Sequence, residues 1–421
     1  MPNAPAGETR FQGPLFGGAA FHSPLCHADP APAGRPLRAR SEQAVLWDDS
    51  PSTQGGVDMW YGVNGLITTA ALGTPPQPFR LVVNLVWNTL FVPNASINLE
   101  GWERDFYRLY YPNESSTAAP SDLGRRSVEH GWVEFSGPVV EDTFRINGGE
   151  VARQPFIAAE RWRYEAIHLW MLYDGVLGLS PRFGVDSEMI PNDRLPSPWS
   201  RMVEEGVLDA NLFAIEVPRG DLSFGAINTK YNDAQFTSLP LVRDDDRLWA
   251  VEAHLIRWDN QTHPIERRFD DVDDDDDDKN AAHEEEKKNT IAVFTTEPII
   301  AIPDTAFVRK IYRSIPAWAW KERWQRLLDC AALDHLPDLV FELGGGQTFA
   351  VTARQYAYPV RRQGEVLCHL GLHSTAFYKG CYYGSAPRGA VVLGTPFLNA
   401  YYSVYDLDKM ELYFYDTQDQ D

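Results

Sequence analysis

Cysteine is scarce: four in 421 residues (Cys26, Cys330, Cys368, Cys381). That is too few for a disulfide-built scaffold, and no pair has the CxxC spacing of a structural metal site. No uninterrupted apolar run reaches about 18 residues, so the sequence contains no candidate transmembrane helix. Residues 1–40 are rich in Pro, Ala and Gly and carry no apolar core of a signal peptide. Positive charge is also in short supply, 38 Lys and Arg against 59 Asp and Glu, for a net charge of −21. A polyanionic partner, nucleic acid or an acidic membrane surface, is therefore excluded. No Gly-x-Ser-x-Gly elbow appears, which removes the usual frame for serine nucleophilic catalysis.

What is present is globular: 44% hydrophobic residues, 23% charged and 12% aromatic, with 13 Trp. The length predicts about two domains. Apolar residues alternate with period two in short runs bounded by turn residues, for example Phe79–Val83, Trp132–Phe135, Leu212–Val217, Leu222–Phe224, Ala250–Ile256, Leu339–Leu343 and Tyr401–Tyr405. Helical spacing is confined to Trp199–Val207 and Thr305–Leu328, the second carrying Trp318, Trp320 and Trp324. The chain reads as all-β with short helices. Residues 1–50 read as a disordered or propeptide-like tail, 55–235 as an N-terminal lobe and 236–421 as a C-terminal lobe. Within the latter, residues 269–289 carry a net charge of −8. Six consecutive aspartates repel one another and bury nothing, so this is an exposed acidic insertion. It lacks the alternating ligands and turn glycine of a calcium loop, and no metal site or cofactor is expected.

The two halves repeat one plan. Phe79–Asn84 precedes Asp174–Leu179, and Ile291–Phe294 precedes Ala390–Thr395. Each is a β-run followed, 90 to 100 residues later, by an apolar-apolar-Gly segment.

Taken in order, Gly73–Gln77, Leu90–Pro93, Tyr173–Leu179, Leu222–Ile227, Leu336–Phe341, Val392–Phe397 and Tyr401–Asp406 resemble the motifs of the pepsin-like aspartic peptidase family from about Tyr61 to Tyr415. The resemblance implies a bilobal all-β fold with a peptide cleft between two barrel-like lobes. It also implies one aspartate from each lobe, presented in an Asp-Thr/Ser-Gly turn. Two such carboxylates share one proton, so that one activates water while the other protonates the scissile carbonyl.

Here that chemistry is missing. The first turn reads Asn84-Leu85-Val86, with Asn84 at the aspartate position. The second reads Phe294-Thr295-Thr296, and the spacing to Ile299, Ile300 and Pro303 places Phe294 at the aspartate position, with Thr295 the surviving hydroxyl. In the flap segment His130-Gly131-Trp132, His130 stands where the family has tyrosine. Asn84 neither accepts the proton of water nor returns one, and Phe294 does not ionise. Glu297 and Glu134 lie near the cleft but have no obvious carboxylate partner, and His130 is a better hydrogen-bonding flap residue than a base.

The expectation is a monomeric, non-catalytic protein whose cleft binds a peptide or protein ligand. The alternatives are an active aspartic-type endopeptidase with a rearranged centre and a cell-surface glycoprotein. Sequons at Asn94, Asn113 and Asn260 are compatible with an extracellular or secretory location. The resemblance further implies a disulfide between Cys330 and Cys368, which flank Leu336–Phe341. Cys26 and Cys381 are left over, and their pairing would tie the tail to the second lobe.

Overall fold

The structure, a computed structural model, describes residues 66–99, 104, 107–130, 133–146, 148–164, 173–181, 195–231, 235–242, 248–259, 261–265, 290–315, 320–321, 326–362, 365–375 and 389–417, and the backbone of 37–40. As the period-two pattern requires, it is mostly β. One eight-stranded sheet belongs to the first half and runs from Ile67–Leu72 and Gln77–Asn84 through Gly175–Gly178 and Phe91–Pro93 to the long hairpins Gly149–Ala159, Val133–Ile146 and Ala119–His130. A second eight-stranded sheet, built around Ala250–Trp258, Ile291–Phe294, Val391–Leu393 and Ile300–Ile302, repeats the plan in the second half.

A six-stranded sheet joins the halves. Asp221–Phe224 and Leu212–Glu216 lie beside Tyr401–Asp406 and Glu411–Asp416, with Thr237–Pro240 at one edge. Its buried face is aromatic: Phe213 stacks on Tyr405 with ring centroids 4.6 Å apart, and Trp249 meets both edge-on. The Trp249 indole N–H then donates to the Leu179 carbonyl at 2.7 Å, pinning the second half to the first half's apolar-apolar-Gly segment. The expected bilobal all-β architecture is present.

Within residues 1–50, read as a disordered or propeptide-like tail, Leu37–Arg40 forms the other edge strand of the joining sheet, antiparallel to Asp221–Phe224. In its register Leu37 and Ala39 pair with Phe224 and Leu222, and Arg38 and Arg40 with Ser223 and Asp221. The helix expected over Thr305–Leu328 ends at Ser314. Pro316 follows, which disfavours helical backbone at Ile315 and supplies no N–H. Arg326–Leu328 is instead a strand paired with Cys368 and His369. The helix start is well signalled, since the Asp304 carboxylate accepts from the Ala306 and Phe307 N–H groups at 2.6 and 3.0 Å. Among the described residues no helix is long and apolar enough to cross a membrane.

Candidate functional site

The first turn grows out of the strand Gln77–Asn84, which runs parallel to Gly175–Gly178 with Val83 opposite Leu177 and Asn84 opposite Gly178. Gly178 is required there: a Cβ would sit 2.4 Å from the Thr89 nitrogen and 2.5 Å from the Trp87 oxygen. The backbone folded over Gly178 buries Asn84, which is 1% exposed. Asn84 Oδ1 accepts from the Val86 N–H at 2.6 Å and from the Trp87 N–H. Two converging donors demand an acceptor, which fixes the amide orientation. Asn84 Nδ2 is left with no partner among the described residues, a desolvation penalty of about 1–3 kcal/mol.

The second turn does not place Phe294 where the spacing put it. Ile291–Phe294 runs parallel to Val391–Leu393 with Phe294 opposite Leu393, so Gly394, the counterpart of Gly178, falls beside Thr295. The antiparallel neighbours agree. Phe294 N–H donates to the Trp249 carbonyl as Val83 N–H donates to Leu66, and Trp249 and Leu66 each precede the first paired residue of their strands, Ala250 and Ile67. Phe294 is therefore the counterpart of Val83, and Thr295 of Asn84. Phe294 is wholly buried in the second lobe's core, 5.2 Å from Phe414 and 5.6 Å from Phe397 between ring centroids.

A shorter turn explains the misplacement. Gly178 N–H bonds to the Thr89 carbonyl and Gly394 N–H to Ile299, so the return strands superpose Thr89 on Ile299. From Asn84 to Thr89 is five residues, whereas from Thr295 to Ile299 is four. Counting back from Ile299, Ile300 and Pro303 matched the return strand and slipped by one at the turn.

With that register, Thr296 becomes the bracing hydroxyl. Its Oγ1 donates to the Val83 carbonyl at 2.6 Å, joining the two turns directly. Leu85 occupies the matching place in the first turn and has no hydroxyl to return. Thr295, 2% exposed, accepts from the Glu297 N–H at 3.4 Å through its hydroxyl, the same two-residue loop that Asn84 makes with Val86. Val86 and Glu297 fill the turn-glycine places and are both buried. One buried cluster contains Val82, Val86, Trp87 and Phe135 from the first half and Val293 and Ala390 from the second, so apolar surface surrounds the turns. The two tips are an amide and a hydroxyl, and neither takes up or releases a proton in the working pH range. The brace at Thr296 was missed from sequence because its signal, a second hydroxyl directly after Thr295, makes sense only once the register is known.

Of the flap residues, His130 closes a strand in register with Val133, while its side chain, Gly131 and Trp132 lie outside the described residues. The disulfide between Cys330 and Cys368 is present, with Cα atoms 5.0 Å apart. Asn113 is exposed in a short helical turn, Asn94 is 8% exposed, and Asn260 lies outside the described residues. So do Cys26, Cys381 and the acidic insertion. The insertion's flanks do meet: Thr290 Oγ1 donates to the Ile265 carbonyl at 2.9 Å. Among the described residues no cluster of three or more His, Cys, Asp or Glu is placed to hold a metal.

Comparison with known proteins agrees with this architecture. The chain is 27% identical to vacuolar protease A of Aspergillus fumigatus over 347 residues, 80% of this chain and 75% of that protein. It is 25% identical to vacuolar protease A of Arthroderma otae over 382 residues, covering 89% and 81% respectively. It is 24% identical to cathepsin D of Gallus gallus over 358 residues, covering 80% and 77%. The family profile described as eukaryotic aspartyl protease matches residues 66–416, and the chain belongs to that family of pepsin-like aspartic peptidases.

Proposed function

We propose that this member of the family is a non-catalytic binding protein that holds an extended peptide or protein segment between its lobes. The observation that carries this reading is the pair of residues at the two turn tips, Asn84 and Thr295. Aspartic peptidase chemistry needs a base to activate water and an acid to protonate the carbonyl, and both are lost when neither tip ionises. The preserved frame supports retained binding: the paired strands, the packed glycines Gly178 and Gly394 and the Thr296 brace still set the turns side by side. A secretory or vacuolar setting is supported by the Cys330–Cys368 disulfide, since such bonds persist in oxidising compartments, and by the relatives named vacuolar protease A. Glycosylation at exposed Asn113 fits that setting.

Glu297 motivates the second reading, an active peptidase with a rearranged centre, because it brings a buried carboxylate into the second turn. Against it stands the absence of a second carboxylate at either tip. One assay separates the two. Purified protein incubated with an unfolded protein substrate from pH 3 to pH 7 should leave it intact. Pepstatin-sensitive cleavage that is lost in Glu297→Gln would establish the second reading instead.

A further inference from the structure

We propose that the Asn113 amide carries an N-linked oligosaccharide, attached before the first lobe closes and held away from the turn tips, and that the Asn94 amide stays bare. This goes beyond the peptide-binding reading and rests on the secretory setting given with it. Three observations carry it.

The first is a fixed turn with an exposed amide. Tyr111–Ser116 is clamped to the hairpin that joins Ile67–Leu72 to Gln77–Asn84. The Gln77 side chain pairs with the Tyr111 backbone, accepting from its N–H at 2.8 Å and donating to its carbonyl at 2.9 Å. At the other end the Thr74 carbonyl accepts from the Ser116 N–H at 2.8 Å and from its hydroxyl at 3.1 Å. Between the clamps Pro112–Glu114 makes one short helical turn, and Asn113 on it is exposed and takes no part in these bonds. A bulky hydrated group on that amide displaces no packed atom.

The second is the Ser115 hydroxyl. Attachment forms a bond from Asn113 Nδ2 to C1 of the first sugar of a lipid-diphosphate-linked oligosaccharide. The C1–O bond to the diphosphate breaks, the lipid diphosphate leaves with the electron pair, and the amide gives up one proton. The acceptor is recognised as Asn-x-Ser, so the serine hydroxyl must be accessible at that step. In the folded chain it is not. Ser115 is 8% exposed, and its Oγ accepts from the Thr74 N–H at 3.0 Å and the Thr117 N–H at 3.3 Å, with Thr117 Oγ1 also 3.3 Å away. Both lone pairs are taken. Attachment therefore precedes the clamp.

The third is the contrast with Asn94. Its N–H donates to the Ala159 carbonyl at 2.8 Å, its carbonyl accepts from the Ile97 N–H at 2.9 Å, and its Oδ1 accepts from the Ser96 N–H at 3.3 Å. It is also bridged to Tyr110 and buried. A sugar on Nδ2 needs space that the folded lobe does not leave, so a chain modified there cannot close this bridge. The Asn113 turn, by contrast, sits at the Gln77 end of an eight-residue strand whose other end is Asn84. That is a separation of about 23 Å along the strand, so the oligosaccharide leaves the region of the turn tips open.

The test starts from the protein isolated from the cells that make it. Enzymatic deglycosylation in heavy-oxygen water converts a glycosylated asparagine to labelled aspartate, which peptide mapping locates. The Asn113 peptide should carry the label and the Asn94 peptide should not. Asn113→Gln should run smaller on a denaturing gel by one oligosaccharide, with an unchanged urea midpoint after both proteins are deglycosylated. The same map run without reduction reports the Cys330–Cys368 bond. An unlabelled Asn113 in chains that hold this disulfide overturns the site and leaves the secretory setting standing. An unlabelled Asn113 with both thiols free overturns both. Label at Asn94 in the folded protein overturns the discrimination between the two sequons. The order of events is checked on bare chain refolded from bacteria. Given purified oligosaccharyltransferase and its lipid-linked donor it should stay unmodified, and a glycan appearing at Asn113 overturns attachment before folding.

Discussion

The Thr296 hydroxyl and the Val83 carbonyl, 213 residues apart in the chain, are 2.6 Å apart in space and stitch the two lobes together at the turns. Because both groups are buried, removing the donor strands an acceptor in apolar surroundings. Thr296→Val keeps the shape and should cost about 1–3 kcal/mol, whereas Thr296→Ser should stay near wild type. Urea unfolding of the three proteins checks this, and a Val variant as stable as wild type would show that the bond carries no stability.

The register correction changes which variant should show peptidase activity. Asn84→Asp alone should show no peptidase activity, since a lone carboxyl has no partner to hold the complementary proton. Adding Phe294→Asp should not help: it removes an aromatic ring from the core, costing about 3–5 kcal/mol before any penalty for the buried acid. Asn84→Asp with Thr295→Asp puts both acids on equivalent turn positions. Relieving the turns with Val86→Gly and Glu297→Gly should make that quadruple variant the first with turnover. Acid proteolysis of an unfolded substrate, with pepstatin as control, ranks them. Activity appearing with Phe294→Asp before Thr295→Asp would refute the register.

Residues 269–289 should be dispensable for folding. Thr290 and Ile265, just outside that segment, are already hydrogen-bonded, so a short Gly/Asn turn bridges the gap without moving a strand. Loop length changes closure free energy by only about 0.6 kcal/mol per doubling. Calorimetry should find a melting temperature within about 2 °C of wild type and a weaker response to salt. A large drop would show that the segment docks on the body.

Burial holds the His369 imidazole neutral, lowering its pKa from 6.5 to about 3. The unfolded chain therefore takes up the proton first. Its contribution to stability is complete above pH 6.5 and is lost as pH falls toward 3. Between pH 6.5 and 4.5 this one group should remove about 2–3 kcal/mol. The urea midpoints of wild type and His369→Gln at pH 7 and 4.5 measure it, and the variant should show the shallower decline.

Cys330 and Cys368 close a loop with a sequence separation of 38 residues. Replacing both with Ser should lower stability by about 4 kcal/mol on the chain-entropy account. The same loss should follow reduction of the wild type, read as a shift of the urea midpoint.

Period-two alternation placed several of the strands from sequence alone, because a side chain's face follows directly from its parity along a strand. Leu339–Leu343 occurs with the expected bounds, and Tyr401–Tyr405 extends by one residue to Asp406. The order of turn motifs carried the family, and the place of Asn84 at the tip of the first turn was legible, because spacing on both sides of that turn agrees. Tertiary structure alone decided the second tip. A strand's register is set by its neighbours' hydrogen bonds and by which residues its core accepts, and at Phe294 the aromatic cluster with Phe397 and Phe414 claims the side chain for the interior. One residue fewer in the following turn leaves the downstream spacing intact, so a linear count runs through the slip unaware. Only the pairings of Phe294 with Leu393 and of Val83 with Leu177 reveal that Thr295, not Phe294, stands in the place of Asn84.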